Sequence, residues 1–221
     1  MFEKLMQKLR MLTAAPVPFD PARFGDPVAL QTQWTPAKRG GSNFRTHTLI
    51  TAGPTRVEFR ASAGAKVFYL LFFLVGSGVL VALSAAWFWG DAGSFNRGFL
   101  IPLLLGLIFM VLGAYMFLTG TAPIVFEKGR GVFWKGRKGP DEAMDSRKAA
   151  DFVRLDTVHA VQLIAEYISG KNSYYSYELN LVLKDGNRVS IIDHGNLDRI
   201  REDARALALF LGKPLWDATI G

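Results

Sequence analysis

VFYLLFFLVGSGVLVALSAAWFW, at residues 67–89, and GFLIPLLLGLIFMVLGAYMFLT, at residues 98–119, are the two stretches that decide how this chain folds. Neither stretch contains a charged residue. About 20 apolar residues in a helix rise ~30 Å, which is the thickness of a hydrocarbon core, so each stretch is long enough to cross a bilayer. The sequence therefore predicts a two-helix transmembrane hairpin over residues 67–119.

The distribution of basic residues predicts the orientation of this hairpin. Lys and Arg are frequent before the first stretch and after the second, whereas residues 90–97 between them hold only Asp91 and Arg97 as charged residues. Cytoplasmic loops of membrane proteins are rich in Lys and Arg, so we expect both termini in the cytoplasm and the short loop outside. The same bias accounts for the formal net charge of +7, and no nucleic-acid partner is predicted because no basic stripe lies on a recognisable module.

Composition and the apolar stretches also argue against several classes of protein. The chain has no cysteine, so disulfides and thiolate chemistry are excluded. Proton relays, ion pathways and voltage sensors use ionisable residues inside the membrane, and neither stretch has one. A transporter or a channel is therefore not expected.

Residues 1–43 are predicted to be an N-terminal amphipathic segment followed by a proline-rich linker. Apolar residues recur at helical spacing on one face of residues 2–12, and five prolines between positions 16 and 36 interrupt regular structure. Two alternatives stay open for the amphipathic segment. It lies on an anionic membrane surface through Lys4, Lys8 and Arg10, or it is a frayed or protein-docked terminus.

The remaining sequence alternates between apolar and polar residues, as half-buried strands do. Glycine-containing turns separate several of the alternating segments, and Asp185-Gly186 is the strongest hairpin signal. In the segment 175–184, Leu179 and Leu181 are expected on the buried face, and Glu178 and Asn180 on the opposite, polar face. The predicted strands are residues 45–52, 56–61, 124–127, 132–135, 158–168, 175–184 and 189–191.

The last element is predicted to be an amphipathic helix over residues 197–211. Asn196 is suited to cap its first turn, and Gly212 followed by Pro214 ends it. Leu207 lies on the apolar stripe and Arg205 lies outside it.

Seven strands followed by one helix is the element order of the pleckstrin-homology (PH) fold, and the chain resembles bacterial PH-like membrane proteins. The stretches that carry the resemblance are PIVFEKGRGVFWKG, VRLDTVHAVQLI and LNLVLKDGNRVSII. The resemblance implies an α+β membrane protein of the bacterial inner membrane. A seven-stranded PH-like β-barrel would be closed by the C-terminal amphipathic helix, with the transmembrane hairpin inserted in it. The PH-like domain would then be split into residues 44–62 and 122–213, around a hairpin at 67–119.

The rival interpretation is two independent cytoplasmic pieces. Two strands alone cannot bury a core, so the single split domain is preferred. In eukaryotic PH domains that bind inositol phosphates, several basic residues surround the loop between the first two strands. The corresponding residues here, 52–55, are uncharged, so that activity is not carried over.

No catalytic, cofactor or metal signature is found in the sequence. His47, His159 and His194 are the only histidines, and residues 169–173 lack the spacing of a phosphate-binding loop. The candidate residues are therefore basic and aromatic side chains suited to contact lipid or a protein partner. Besides those of the N-terminal segment, they are Lys128, Arg130, Lys135, Arg137, Lys138, Lys171, Tyr174 and Tyr175.

Three functions follow, in order of preference. The first is a non-enzymatic inner-membrane scaffold or accessory subunit that presents a cytoplasmic PH-like domain to a protein partner. The second is a sensor of anionic lipid at the cytoplasmic membrane surface, and a distant third is an enzyme of unknown type. The expected partners are the lipid bilayer, which both helices would span, and a protein. No cofactor is expected.

Overall fold

The computed structural model describes residues 19–89, 97–141 and 152–219. Its α-helices of five residues or more are α1 (Pro27–Gln31), α2 (Ala63–Trp89), α3 (Arg97–Gly120) and α4 (Leu197–Leu211). The strands are β1 (His47–Gly53), β2 (Arg56–Ala61), β3 (Ile124–Glu127), β4 (Val132–Lys135), β5 (Phe152–Arg154), β6 (Val158–Ile168), β7 (Tyr174–Leu183), β8 (Arg188–His194) and β9 (Leu215–Asp217). Short 3-10 turns lie at Pro21–Phe24 and Leu155–Thr157.

The strands form two sheets. The first is an antiparallel meander in the order β1-β2-β3-β4-β5, and the second has the order β8-β7-β6-β9 with β9 parallel to β6. The second strand before the helical hairpin pairs directly with the first strand after it, so that Phe59 lies opposite Ile124. The hairpin α2–α3 therefore leaves and re-enters the domain between two neighbouring strands.

One apolar core lies between the two sheets and α4. It contains Phe59 from β2, Phe126 from β3, Leu163 and Leu179 from the second sheet, and Leu207 from the helix, all of them fully buried. Residues on both sides of the helical hairpin thus contribute to the same core.

The structure corrects the prediction of a closed, seven-stranded barrel. The seven predicted segments are strands, but the described residues contain nine strands in two sheets that do not close on each other. The sequence did not reveal β5 and β9 because each has only three residues, too few for an alternating pattern. The α+β class and the two long apolar helices are as predicted.

Helix α4 has the predicted caps and the predicted buried face. The Asn196 side chain accepts a hydrogen bond from Arg199 N, and Gly212 ends the helix with φ of 65°. Leu207 is fully buried and Arg205 is exposed. Asp203 on the same helix is also buried, and the Arg45 guanidinium lies 3.2 Å from its carboxylate.

Helices α2 and α3 are long and apolar enough to cross a membrane, over Ala63–Trp89 with 27 residues and Gly98–Gly120 with 23. Only 6% and 11% of an 18-residue apolar stretch of each is buried, so neither is the core helix of a globular domain. The two helices touch each other at glycines. A Cβ added to Gly76 would lie 2.6 Å from Gly106 O, and one added to Gly113 would lie 2.7 Å from Phe73 Cα.

The proline-rich segment is ordered on the second sheet rather than extended as a linker. Residues 19–46, here called the strap, cross the face of that sheet opposite to the core. The rings of Phe24, Trp34 and Trp216 form a three-membered cluster, in which the Trp34 centroid lies 5.3 Å from Phe24 and 5.8 Å from Trp216. Glu178 Oε1 and Oε2 each accept a 3.0 Å hydrogen bond, from Ala37 N and Lys38 N. Asp26 and Asp20 cap the two short helical turns, which begin with Pro27 and Pro21.

Because the strap covers one face of the second sheet, the predicted exposure of that face is wrong. Glu178 and Asn180 were expected on a solvent-facing side, but their relative exposures are 3% and 0%. They are buried because the strap covers them and because Asn180 Nδ2 donates to Glu178 at 2.7 Å and to Gln162 at 3.3 Å.

Candidate functional site

The predicted contact residues fall into separate groups. Lys4, Lys8 and Arg10 lie outside the described residues. Of the five basic residues after the second apolar stretch, three surround a pocket on the outer face of the first sheet: Arg130, Arg137 and Lys138. Lys128 and Lys135 lie elsewhere. Lys171, Tyr174 and Tyr175 belong to the β6–β7 hairpin.

The basic pocket, as we call it, has a volume of about 320 Å³. The β3–β4 turn supplies Arg130, and the chain that leaves β4 at Gly136 supplies Arg137 and Lys138. Gly136 has a φ of 119°, which favours glycine and turns the chain back across the sheet. The lining is Arg56, Pro123, Val125, Glu127, Arg130, Trp134, Gly136, Arg137, Lys138, Gly139 and Pro140.

The arginines of the basic pocket are held in place by specific partners. Arg56 Nε donates to Glu58 Oε1 at 2.8 Å, and its guanidinium lies 5.4 Å from the Trp134 ring. Arg130 pairs with Asp141 at 3.1 Å. Arg137 donates to Leu118 O, a terminal carbonyl of α3, and to Thr121 Oγ1. Fixed guanidinium groups of this kind are suited to bind a phosphate or carboxylate, and Arg137 is the one that lies at the end of α3.

Lys128 and Lys135 do not line this pocket. Lys128 Nζ lies 5.0 Å from the centre of the Phe210 ring, at the far end of α4. Lys135 Nζ donates to Ser190 O at 2.5 Å and so links the first sheet to the second. The predicted basic cluster is therefore split between one pocket and two structural contacts.

The second candidate surface is a row of tyrosines on the β6–β7 hairpin, here called the tyrosine surface. The Tyr167 and Tyr175 rings lie 5.2 Å apart, and Tyr175 and Tyr177 lie 6.5 Å apart. Tyr167 and Tyr175 are 56% and 55% exposed. They follow the core positions Leu163 and Leu179 on the same face of the sheet, but β6 and β7 continue past the point where β8 ends, so nothing among the described residues covers them.

Lys171 and Tyr174 complete the hairpin in different ways. Lys171 is in the exposed turn, whereas the Tyr174 hydroxyl donates to Gly41 O at 2.8 Å and so holds the strap. Sequence reasoning named Tyr175 but missed Tyr167, Tyr177, Arg56 and Trp134 as contact residues. The sequence did contain a signal for the tyrosines, because Tyr175 and Tyr177 are two residues apart in a strand and therefore lie on the same face.

The tyrosine surface lies at the end of the domain where α2 begins. Tyr177 pairs with His194, and the next residue, Gly195, donates its N–H to Phe44 O. Phe44 in turn contacts Phe68 in α2, with ring centroids 5.8 Å apart. The β6–β7 hairpin therefore lies beside the ends of α2 and α3 that join the domain.

The three histidines do not converge. His159 Nε2 contacts Asp26 under the strap at 2.7 Å, and His194 Nδ1 accepts a hydrogen bond from Asn196 N at 3.2 Å. In the described part of the chain no three His, Asp or Glu side chains form a group that could hold a metal ion. Burial lowers the pKa of both His47 and His194 from 6.5 to about 4, so both are neutral at pH 7.

These lowered pKa values predict that the domain loses stability as the pH falls from 6.5 to 4. The unfolded chain binds protons on both histidines near pH 6.5, whereas the folded chain resists protonation until about pH 4. Each histidine would then contribute at most about 3 kcal/mol of destabilisation. Chemical unfolding of the full chain in micelles between pH 4 and 8 measures this. The double variant His47→Gln/His194→Gln should show a shallower fall, and an equally steep one would contradict the prediction.

No protein-family model and no curated protein sequence matches the chain.

Proposed function

We propose that the chain is a non-enzymatic scaffold or accessory subunit of a bacterial-type inner membrane. In this proposal α2 and α3 span the bilayer, both termini are cytoplasmic, and the domain, PH-like as the sequence resemblance implies, presents its tyrosine surface to a protein partner. The exposure and apolar composition of both helices support insertion in a membrane.

The domain is joined to the helices by very short connections, which fix its position. Strand β2 ends at Ala61 and α2 begins at Ala63, so Ser62 alone joins them. Ser62 Oγ accepts from Ala65 N at 3.0 Å and donates to Arg45 O at 2.7 Å. A domain fixed in this way cannot tumble away from the lipid headgroups, so its partner would itself lie in or on the membrane.

The observation that carries the scaffold proposal is the exposed tyrosine surface. Outside α2 and α3, the large apolar or aromatic side chains exposed in the described residues are Leu30, Tyr167, Tyr175 and Leu209. Two of these four, Tyr167 and Tyr175, have neighbouring rings, and the Tyr175 ring stacks on that of Tyr177. Tyrosine is enriched at the centres of protein interfaces because it buries a large rigid area and keeps a polar hydroxyl.

Labelling from outside the cell tests the orientation. The chain has no cysteine, so one introduced cysteine is the only reactive thiol. Ser94→Cys, between the two apolar stretches, should react with a membrane-impermeant thiol reagent in intact cells. Lys171→Cys, in the exposed β6–β7 turn, should react only after the cells are opened. The opposite pattern would overturn the proposed topology.

The basic pocket favours a second candidate function, the binding of an anionic lipid. Arg137 and Lys138 lie where the chain returns from α3, and Arg137 is fixed to the last turn of that helix. Basic side chains near an anionic leaflet contribute about 1 kcal/mol each. A headgroup phosphate that enters beside Pro123 would lie nearest to Arg137 and Lys138, because Arg56 and Arg130 are at the other end of β2 and β3.

Site-specific photo-crosslinking in native membranes should distinguish the two candidates. A benzophenone amino acid at Tyr175 should give one discrete adduct with a protein, and the Tyr167→Ala change should reduce that adduct at least several-fold. The same amino acid at Gly139, in the lining of the basic pocket, reports on lipid contact.

A matched control is the benzophenone at Lys184, which is exposed at the opposite end of β7 from Tyr175. If Tyr175 gives no more protein adduct than Lys184, the scaffold proposal fails. A lipid adduct at Gly139 that depends on anionic lipid and is lost in Lys138→Gln would then favour lipid sensing.

A further inference from the structure

A second pocket, about 380 Å³ in volume, lies between the strap and the β7–β8 turn. Unlike the tyrosine surface, it is at the end of the second sheet that is remote from α2. Strand β8 begins at Arg188 in this pocket and ends at His194, near the start of α2. The two ends of the strand are therefore about 20 Å apart. The lining is Gln31, Gln33, Pro36, Ala37, Asp185, Gly186, Asn187 and Arg188.

Arg188 is the unusual residue of this pocket, because it is half-buried and has no carboxylate within ion-pair distance among the described residues. Its Nη1 donates to Gln162 Oε1 at 3.3 Å and its Nη2 to Gln33 Oε1 at 3.4 Å, both long for hydrogen bonds of this type. By contrast, seven other arginines pair with a carboxylate: Arg45, Arg56, Arg60, Arg130, Arg154, Arg199 and Arg201.

The carboxylates nearest to Arg188 are committed to other donors. Glu178 accepts from Ala37 N, Lys38 N and the Asn180 side chain. Asp185, in the pocket lining, accepts from the backbone N–H and the side-chain amide of Asn187. The burial of Arg188 lowers the pKa of its guanidinium, and the negative charge of Glu178 only partly offsets this by acting to raise it.

The geometry points to a binding site here for a small soluble molecule that carries a carboxylate or phosphate group. A guanidinium has five N–H donors, and the two amide contacts leave its fork able to take a bidentate anion. The side-chain amides of Gln31, Gln33 and Asn187 would hydrogen-bond polar substituents of the same molecule. Because the pocket faces away from the end that carries α2, the anion would come from the aqueous solution and not from a lipid headgroup.

This site is independent of both candidate functions above, and it can be tested with simple anions. In the full chain in micelles, sodium phosphate and sodium acetate should each shift the amide resonances of Gly186 and Asn187 in a saturable manner, with sodium chloride at equal ionic strength giving no such curve. Arg188→Gln should weaken the apparent affinity at least tenfold. Arg205→Gln, which removes an exposed arginine of α4, should leave it unchanged.

Two further arms keep the test decisive if Arg188→Gln loosens the strap. Ala37→Phe places a ring in the pocket and leaves Arg188 intact, so the saturable shifts should be lost while the protein still folds. In nanodiscs, an exchange of zwitterionic for anionic lipid should not move the Gly186 and Asn187 resonances. Absence of saturation in the wild-type chain, equal shifts in Ala37→Phe, or a response to anionic lipid would each overturn the proposal.

Discussion

A chain that begins at Ala122 should not unfold cooperatively, because it lacks the strands before the helical hairpin. Those strands supply Val57 and Phe59 to the shared core, and Phe59 is fully buried. Loss of one buried Phe side chain typically costs ~3–5 kcal/mol, and a whole domain is stable by only ~5–15 kcal/mol. Removal of β2 also leaves one edge of β3 unpaired, since only β4 then remains beside it. Thermal unfolding followed by circular dichroism measures the effect.

Rejoining the missing residues should restore cooperative unfolding. Phe59 and Ile124 face each other in neighbouring antiparallel strands, so their Cα atoms are only about 5 Å apart and a short Gly/Ser turn can replace α2 and α3. Residues 19–62 joined to 122–221 should be more stable than residues 44–62 joined to 122–221, because only the first chain keeps the whole strap. A cooperative transition in residues 122–221 alone would show that the domain is not split.

Gly113→Leu should separate the two helices of the hairpin, which is the second large effect. On α3, Gly106, Gly113 and Gly120 recur at seven-residue spacing and face α2. A side chain at Gly113 would overlap the backbone of Phe72 and Phe73, which cannot move without displacing the whole helix. Since the Phe72 and Phe109 rings stack at 5.7 Å, cysteines at these two positions report on the helix contact by their rate of disulfide formation.

We expect that rate to fall at least tenfold, which corresponds to ~1.4 kcal/mol, within the range that overpacking of a close contact produces. Gly78→Leu is the matched control, because a Cβ there meets nothing within 4 Å. Equal rates in both variants would mean that the glycine contact does not hold the helices together.

Local patterns predicted the elements with long regular repeats. The apolar runs became α2 and α3, the residues around Asp185-Gly186 became the β7–β8 hairpin, and α4 ends at Gly212 as its cap indicated. Each of these depends on residues close together in sequence, where hydrophobic period and capping chemistry act directly. The three-residue strands β5 and β9 have no such period, and they exist only because a longer strand lies beside them.

The candidate surfaces were less predictable than the elements. Charge counts grouped Lys128 and Lys135 with Arg137, but the fold places them at Phe210 and Ser190. The pocket beside Arg188 joins residues from the strap and from β8 that are more than 150 positions apart in the chain. No spacing rule connects such residues.

The sequence by itself determined the apolar hairpin, the alternating strands and the closing helix, because each is favoured by its own local pattern. Only the tertiary structure decided that the proline-rich strap packs on the second sheet and buries Glu178 and Asn180. The prolines limit the regular structure of the strap to short turns, so backbone N–H groups of other residues stay free to bind distant carboxylates, and Ala37 and Lys38 do so. The tertiary structure also decided which tyrosines stay exposed, since this depends on where β8 ends relative to β6 and β7.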